Sequence, residues 1–219
     1  MIPILYEDRA VLVCIKPSGV LSESTIAGLP GLPELLKEQV GGEIFPVHRL
    51  DRDTGGVMVY ARNRVAAGSL SSAIQERKLQ KTYLAVVMGC PQAPAGSFRD
   101  LLLHDRQRNK SFVVDRQRGG VKEALLDYRV VSAAGGRSLM EVQLHTGRTH
   151  QIRVQFASRK MPLVGDRKYG GCAGELALWS AGLSFPHPTT GKIMTFRQLP
   201  QGEPWSDFAP WGEESTGEK

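Results

Sequence analysis

The chain is poor in cysteine, has no long apolar run and shows no internal repeat, and each shortage removes a class of protein. Its three cysteines, Cys14, Cys90 and Cys172, stand far apart with no C-x-x-C pair. That spacing builds neither a disulfide framework nor a zinc site, and it suits a reducing compartment. No segment approaches the roughly 18 uninterrupted apolar residues that a membrane span requires. The N-terminal residues reach acid and base by position 9 without a signal-peptide apolar stretch, so a cytoplasmic protein free of the membrane is expected. His145 and His150 lack an H-E-x-x-H frame, and the stretch from Gly28 to Gly31 is too short for a phosphate loop, so no metal and no cofactor is signalled.

What is present is a chain of 219 residues, 41% of them hydrophobic, enough to bury one sizeable core. Lysine and arginine (28) exceed aspartate and glutamate (22), which points towards a polyanionic partner such as nucleic acid. Residues 10–16 (AVLVCIK) and 57–61 (VMVYA) read as buried strands, and 81–88 (KTYLAVVM), 125–131 and 139–144 as further strands. Leu32, Leu35, Leu36 and Val40 recur at helical spacing before Gly41 and Gly42. A second helix is expected after Asn63, with Val65, Ala66, Leu70, Ala73 and Ile74 on its buried face. A third should start at Thr149 as cap, placing Ile152 and Phe156 together. A hairpin around His187, Pro188 and Gly191 closes the fold. The economical reading is one mixed α+β domain over residues 1–211, monomeric, with an acidic, frayed tail at 212–219.

Three polar clusters sit beside these apolar strands. Residues 47–56 read VHRLDRDTGG, a turn that sets Asp51 between Arg49 and Arg52, where nearby positive charge favours the ionised carboxylate. Lys81 and Tyr83 open a strand, and Arg148, Thr149, His150, Gln151 and Arg153 surround the start of the third helix. An arginine next to a buried face normally pairs with a carboxylate, and Asp51 is a candidate partner for Arg153. Between residues 99 and 122, seven basic residues face three acids, which fits either a solvated, mobile hairpin or an arm that meets phosphates.

The segments HRLDRDTGG with VMVYAR, KTYLAVVMG, HTGRTHQIRVQFASRKMPLVGDRKYGG and LALWSAGLSFPHPTTGK occur in that order and resemble the RluA-type RNA pseudouridine synthases from about Ile4 to Phe196. The resemblance implies a single catalytic domain built on a mixed, mainly antiparallel sheet flanked by helices, with an active-site cleft across the sheet. It implies Asp51 as the catalytic carboxylate, Arg153 as its ion-pair partner, and Tyr83 as the residue that stacks on the target base and takes its C5 proton. Arg49 matches the arginine that displaces the target nucleotide, and Leu178 an apolar wall of the uracil pocket. The neighbours His48, Thr54, Thr149, His150 and Gln151 complete the set expected to meet the substrate. The implied partner is ribosomal or transfer RNA, and the reaction needs neither metal nor organic cofactor.

Some positions depart from the family pattern. The usual T-S-G is Thr54, Gly55 and Gly56, the usual L-H-A is Leu178, Trp179 and Ser180, and Gln155 replaces a common histidine. These departures bear on substrate contacts more than on the reaction. The small S4-type RNA-binding domain carried by many relatives is expected to be absent. A zinc deaminase also acts on displaced pyrimidines, but Cys90, Pro91 and Gln92 do not form its P-C-x-x-C ligand motif. A generic carboxylate hydrolase lacks an identifiable second acid. A noncatalytic RNA-binding or RNA-chaperone protein on the same fold would account for the basicity, but not for Asp51, Tyr83 and Arg153 together.

Overall fold

The computed structural model describes residues 1–24 and 29–208; Gly28 of the short glycine stretch and the acidic tail lie outside the described residues. The strands are β1 (Ile4–Glu7), β2 (Val11–Lys16), β3 (Phe45–Pro46), β4 (Gly55–Ala61), β5 (Gln80–Met88), β6 (Ala95–Asp105), β7 (Lys110–Val114), β8 (Val121–Ala134), β9 (Arg137–Leu144), β10 (Leu178–Pro186) and β11 (Ile193–Arg197). Helices α1 (Leu32–Val40), α2 (Arg64–Gln75) and α3 (Gln151–Ala157) and a 3₁₀ turn at Trp205–Phe208 complete the chain. No helix among the described residues is long and apolar enough to cross a membrane.

The strands form one mixed sheet in the order β1-β2-β4-β10-β5-β9-β8-β6-β7, with β11 added to β10 and β3 to β4. Most neighbours are antiparallel; the exception is central, where β10 runs parallel to β4 through Trp179 opposite Gly55 and Ser180 opposite Gly56. Because successive side chains alternate between faces, each central strand feeds two cores. Leu12, Cys14, Met58, Tyr60, Ala85 and Met140 meet α1 and α3 through Leu32, Leu36, Ile152 and Phe156. On the opposite face Val11, Val13, Val57 and Val59 meet α2 through Ala66 and Leu70. Covered on both sides, β4 is buried along its whole length, which is why VMVYA reads as a continuous apolar run rather than an alternation.

Two local expectations are corrected. Asn63 does cap α2, accepting from the Ala66 N–H at 2.8 Å. Val65, however, is 85% exposed, because the buried stripe of α2 runs through Ala66, Leu70 and Ala73, and its neighbour in sequence is turned about 100° away. At α3 the cap position is His150, in the left-handed region with φ of 54°, and no side chain caps the helix. The turn is held instead by Gln151, whose amide oxygen accepts from the Thr146 hydroxyl at 2.8 Å and the Arg148 N–H at 3.0 Å. Thr149 contributes its carbonyl, which accepts from the Ser111 hydroxyl at 2.6 Å. The basic segment contains a β-hairpin, in which β6 and β7 pair from Leu101 opposite Val114 to Asp105 opposite Lys110, with Arg106 and Arg108 in its turn and Arg116 and Arg118 in the loop before β8.

The parallel contact has a steric condition. Gly56 has φ of +119°, and a Cβ there would lie 2.3 Å from the Ser180 carbonyl oxygen. Gly56→Ala is therefore expected to destabilise the fold by about 3 kcal/mol or more, combining backbone strain with overpacking. Urea denaturation of the variant checks this, and a loss below about 1 kcal/mol would mean that β4 and β10 can separate without cost.

Candidate active site

The turn that carries Asp51 is clamped from below by the loop that follows β2. Lys16, at the end of that strand, is fully buried, and its ammonium donates to the carbonyls of Pro17 (2.9 Å), Val20 (2.6 Å) and Arg52 (2.9 Å). Three acceptors use all three of its protons. Burial pulls its pKa down to about 8, with Asp53 and Asp51 opposing. Ser22 adds a reciprocal pair, donating to the Leu50 carbonyl at 2.8 Å and accepting from the Leu50 N–H at 3.0 Å. Asp51 is thus fixed on both flanks before its side chain makes any contact.

The Asp51 carboxylate meets the Arg153 guanidinium, with Nη1 3.2 Å from Oδ2. Arg153 spends its other edge on Asp166, donating from Nε at 2.7 Å and from Nη2 at 2.8 Å. The Asp166 side chain is fully buried. Burial works against the Arg153 charge, but Asp166 and then Asp51 outweigh it, so its pKa lies above the ordinary value. Tyr169 lies under the guanidinium with its ring centre 5.4 Å away, and its hydroxyl is 3.0 Å from His150 Nδ1. Neither neighbouring arginine pairs with Asp51: Arg49 is exposed and meets Glu23 at 3.0 Å, and Arg52 donates to the Gly19 carbonyl at 3.0 Å.

These groups border a cleft of about 490 Å³ where the Asp51 turn, the first residues of β5 and the turn from β9 into α3 converge. Of the ten residues singled out from the sequence, Asp51, Tyr83, Arg153, Arg49, His48, Thr54, Thr149, His150 and Leu178 line it; Gln151 does not. The Gln151 amide is spent on the turn, its NH₂ donating to the Leu125 carbonyl at 3.1 Å. Tyr83 is buried, and burial followed by the Asp51 charge raises its phenol above the ordinary range, so it stays protonated. His48 accepts from the Val59 N–H at 3.2 Å, and burial, with the Lys81 charge, holds it neutral.

The positions that depart from the family pattern avoid this cleft. The Trp179 ring packs over Gly55 so closely that a Cβ there would lie 2.5 Å from it, and the Trp179 N–H donates to the Gln198 carbonyl at 2.8 Å. Gln155 is buried and donates to Asp100 at 2.7 Å. The sequence reading passed over Asp166, Tyr169 and Lys16. Asp166 had a visible signal, an acid separated by one glycine from the apolar Leu163 and Val164.

Residues 10–158 match the family model described as RNA pseudouridylate synthase. A protein of Aquifex aeolicus named as an uncharacterized RNA pseudouridine synthase is 36% identical over 98% of this chain and 74% of its own length. The ribosomal large subunit pseudouridine synthase D of Borreliella burgdorferi is 35% identical over 80% of this chain and 56% of its own. The solved structure of human RNA pseudouridylate synthase domain containing 1 superposes with a TM-score of 0.76 at 26% identity, covering 91% of this chain and 84% of that one. The chain spans about half to three quarters of the length of the curated relatives it matches.

Two predictions follow from the charged chain and its surroundings. Asp166→Asn leaves the buried Arg153 charge half paired and is expected to cost about 3–5 kcal/mol in urea denaturation; a loss under about 1 kcal/mol would show that other contacts hold Arg153. Burial lowers His150 to about 4 from its ordinary 6.5, against the pull of Asp51. The unfolded histidine therefore gains its proton first as pH falls, and stability should drop between about pH 6.5 and pH 4. Urea midpoints across that window check the sign, and His150→Gln should flatten the dependence.

Proposed function

The chain belongs to the RluA-type RNA pseudouridine synthase family, and from that premise we propose that it converts uridine to pseudouridine in structured ribosomal or transfer RNA. The observation that carries this reading is the arrangement of Asp51, Arg153 and Tyr83 around one cleft, with Arg153 anchored by a buried second acid.

The reaction breaks the bond from N1 to C1′, turns the detached uracil and joins C5 to C1′. Asp51 serves it in one of three ways: by attacking C1′ and leaving again as the new bond forms, by removing the C2′ proton to give a glycal and later returning it, or by adding to C6 of the base and leaving once C5 is joined to C1′. In each, the C5 proton is lost and N1 gains one. Arg153 orients the carboxylate without neutralising the cleft, because half of its fork belongs to Asp166. Tyr83, a protonated phenol, takes the C5 proton only as it passes its own to a nearby base, and Asp51 is the base whose charge reaches it.

The target base must first leave its stack. Arg49 is an exposed cation at the rim, and it enters the RNA by exchanging Glu23 for phosphate or base. The strand pair β6–β7 extends the basic surface, with Arg106 and Arg108 exposed at its tip. A cleft of about 490 Å³ encloses a flipped nucleoside and keeps water from capturing C1′.

Tritium release from C5-tritiated uridine in transfer and ribosomal RNA tests the reading. Wild type should release tritium, and Asp51→Ala should reduce release to background; equal release by both would remove Asp51 from the chemistry. Tyr83→Phe should bind RNA as wild type does and lose turnover by about 100-fold or more, within the usual contribution of a general acid or base. Retained turnover would exclude the phenol as the proton acceptor.

A further inference from the structure

One partly buried cation in the cleft has no partner among the described residues. Lys81, the second residue of β5, stands two residues before Tyr83 and therefore on the same face of the strand. It lines the cleft and is partly buried. Among the described residues its ammonium meets no carboxylate and donates no hydrogen bond. Arg77, which also lines the cleft, is exposed to solvent, and the remaining basic side chains of the site have partners. Lys16 satisfies three carbonyls, Arg153 meets two carboxylates, Arg49 meets Glu23, and Arg148 donates from Nε to the Glu123 carbonyl at 2.8 Å.

An unpaired charge held partly out of water is unfavourable in the free protein. Burial pulls the Lys81 pKa down to about 8, and no acidic side chain opposes it. Nor does the protein soften the charge elsewhere, since neighbouring His48 is neutral and its Nδ1–H is itself without a partner. The compensation must come from what enters the cleft.

We propose that Lys81 is a phosphate-binding residue, which takes a non-bridging oxygen of the phosphodiester next to the nucleotide held in the cleft. An ammonium is a compact point charge suited to phosphate oxygen. A neutral uracil carbonyl would leave the charge uncompensated. The placement beside Tyr83 makes the contact available only when a nucleotide lies in the cleft, so it acts on the flipped state rather than on the first encounter, which belongs to the exposed arginines. The proposal rests on the reading of RNA as substrate, and the two fail separately.

The test is equilibrium binding of fluorescently labelled transfer RNA and ribosomal RNA fragments between 50 and 300 mM KCl, roughly the range over which phosphate contacts are titrated by salt. All proteins carry Asp51→Ala so that no turnover intervenes. Lys81→Gln should weaken binding about tenfold, the scale of one charge-assisted contact. It should also reduce the slope of log Kd against log salt by about 0.7–0.9, the signature of one lost phosphate. Lys81→Arg should restore the slope. Lys81→Met keeps the volume of the stem and should behave as Lys81→Gln, and thermal melts confirm that each variant folds. A slope unchanged in Lys81→Gln and Lys81→Met overturns the phosphate contact whatever their affinity, and so does a protein that binds neither RNA. Tritium release by Lys81-intact enzyme decides the reaction independently: release with unchanged slopes removes only the Lys81 contact, and altered slopes without release remove only the reaction.

Discussion

The site depends on one buried ion pair, that of Arg153 with Asp166. A guanidinium presents two usable edges, and the bidentate contact with Asp166 fixes the plane of the group before Asp51 meets it. Without that anchor, a single Nη1 contact of 3.2 Å would leave Arg153 free to rotate around Asp51. The anchor also sets the charge. Two carboxylates share one cation while His150, 3.8 Å from Asp51, is held neutral by burial, so the cluster keeps one net negative charge. That charge is available at Asp51, which is the member open to the cleft, whereas Asp166 is sealed.

The sheet brings this cluster together by a single departure from antiparallel order. Where β10 runs parallel to β4, the start of β4 with its Asp51 turn lies next to Leu178, and β5 on the other side of β10 supplies Tyr83. The closeness of that contact explains two departures from the family pattern as one change. A serine at position 55 would collide with the Trp179 ring, and a glycine there gives the ring its place. Side chains alternate along β10, so Leu178 faces the cleft while Trp179 packs into the core on the other side. The exchange alters the support beneath the site and leaves its lining in place.

Legibility in the sequence followed the physics of each element. Central strands were readable because burial on both faces leaves an apolar run, and Asn63 because capping is a local hydrogen bond. Val65 misled because adjacent apolar residues on a helix differ by about 100° and only one can lie on the stripe. Thr149 misled because the turn before α3 is organised by Gln151 and a left-handed His150, a pattern with no local capping signature. The cost of an unpaired cation near a core made Asp51 a candidate partner of Arg153 and the family resemblance implied the pair, but both stopped at one carboxylate. Asp166 is 13 residues from Arg153 in the chain, and only the fold shows that it takes the larger share of the guanidinium.

The segment from 99 to 122 was hardest to read, because a charge run hides the alternation of a strand. In the structure Leu102 and Val121 are buried and the other apolar side chains are half-buried, while Arg99, Arg106, Arg108, Arg116, Arg118 and Lys122 are exposed. What the charge run concealed is a mechanical link. The Ser111 N–H of β7 donates to the Tyr169 hydroxyl at 2.7 Å, and the Ser111 side chain donates to the Thr149 carbonyl at 2.6 Å. Tyr169 in turn contacts His150 and lies under Arg153. Lys168 adds a bond from its ammonium to the Asn109 carbonyl at 3.0 Å, at the hairpin tip. The hairpin that carries the basic tip is thus hydrogen-bonded to the residues that surround and orient Asp51.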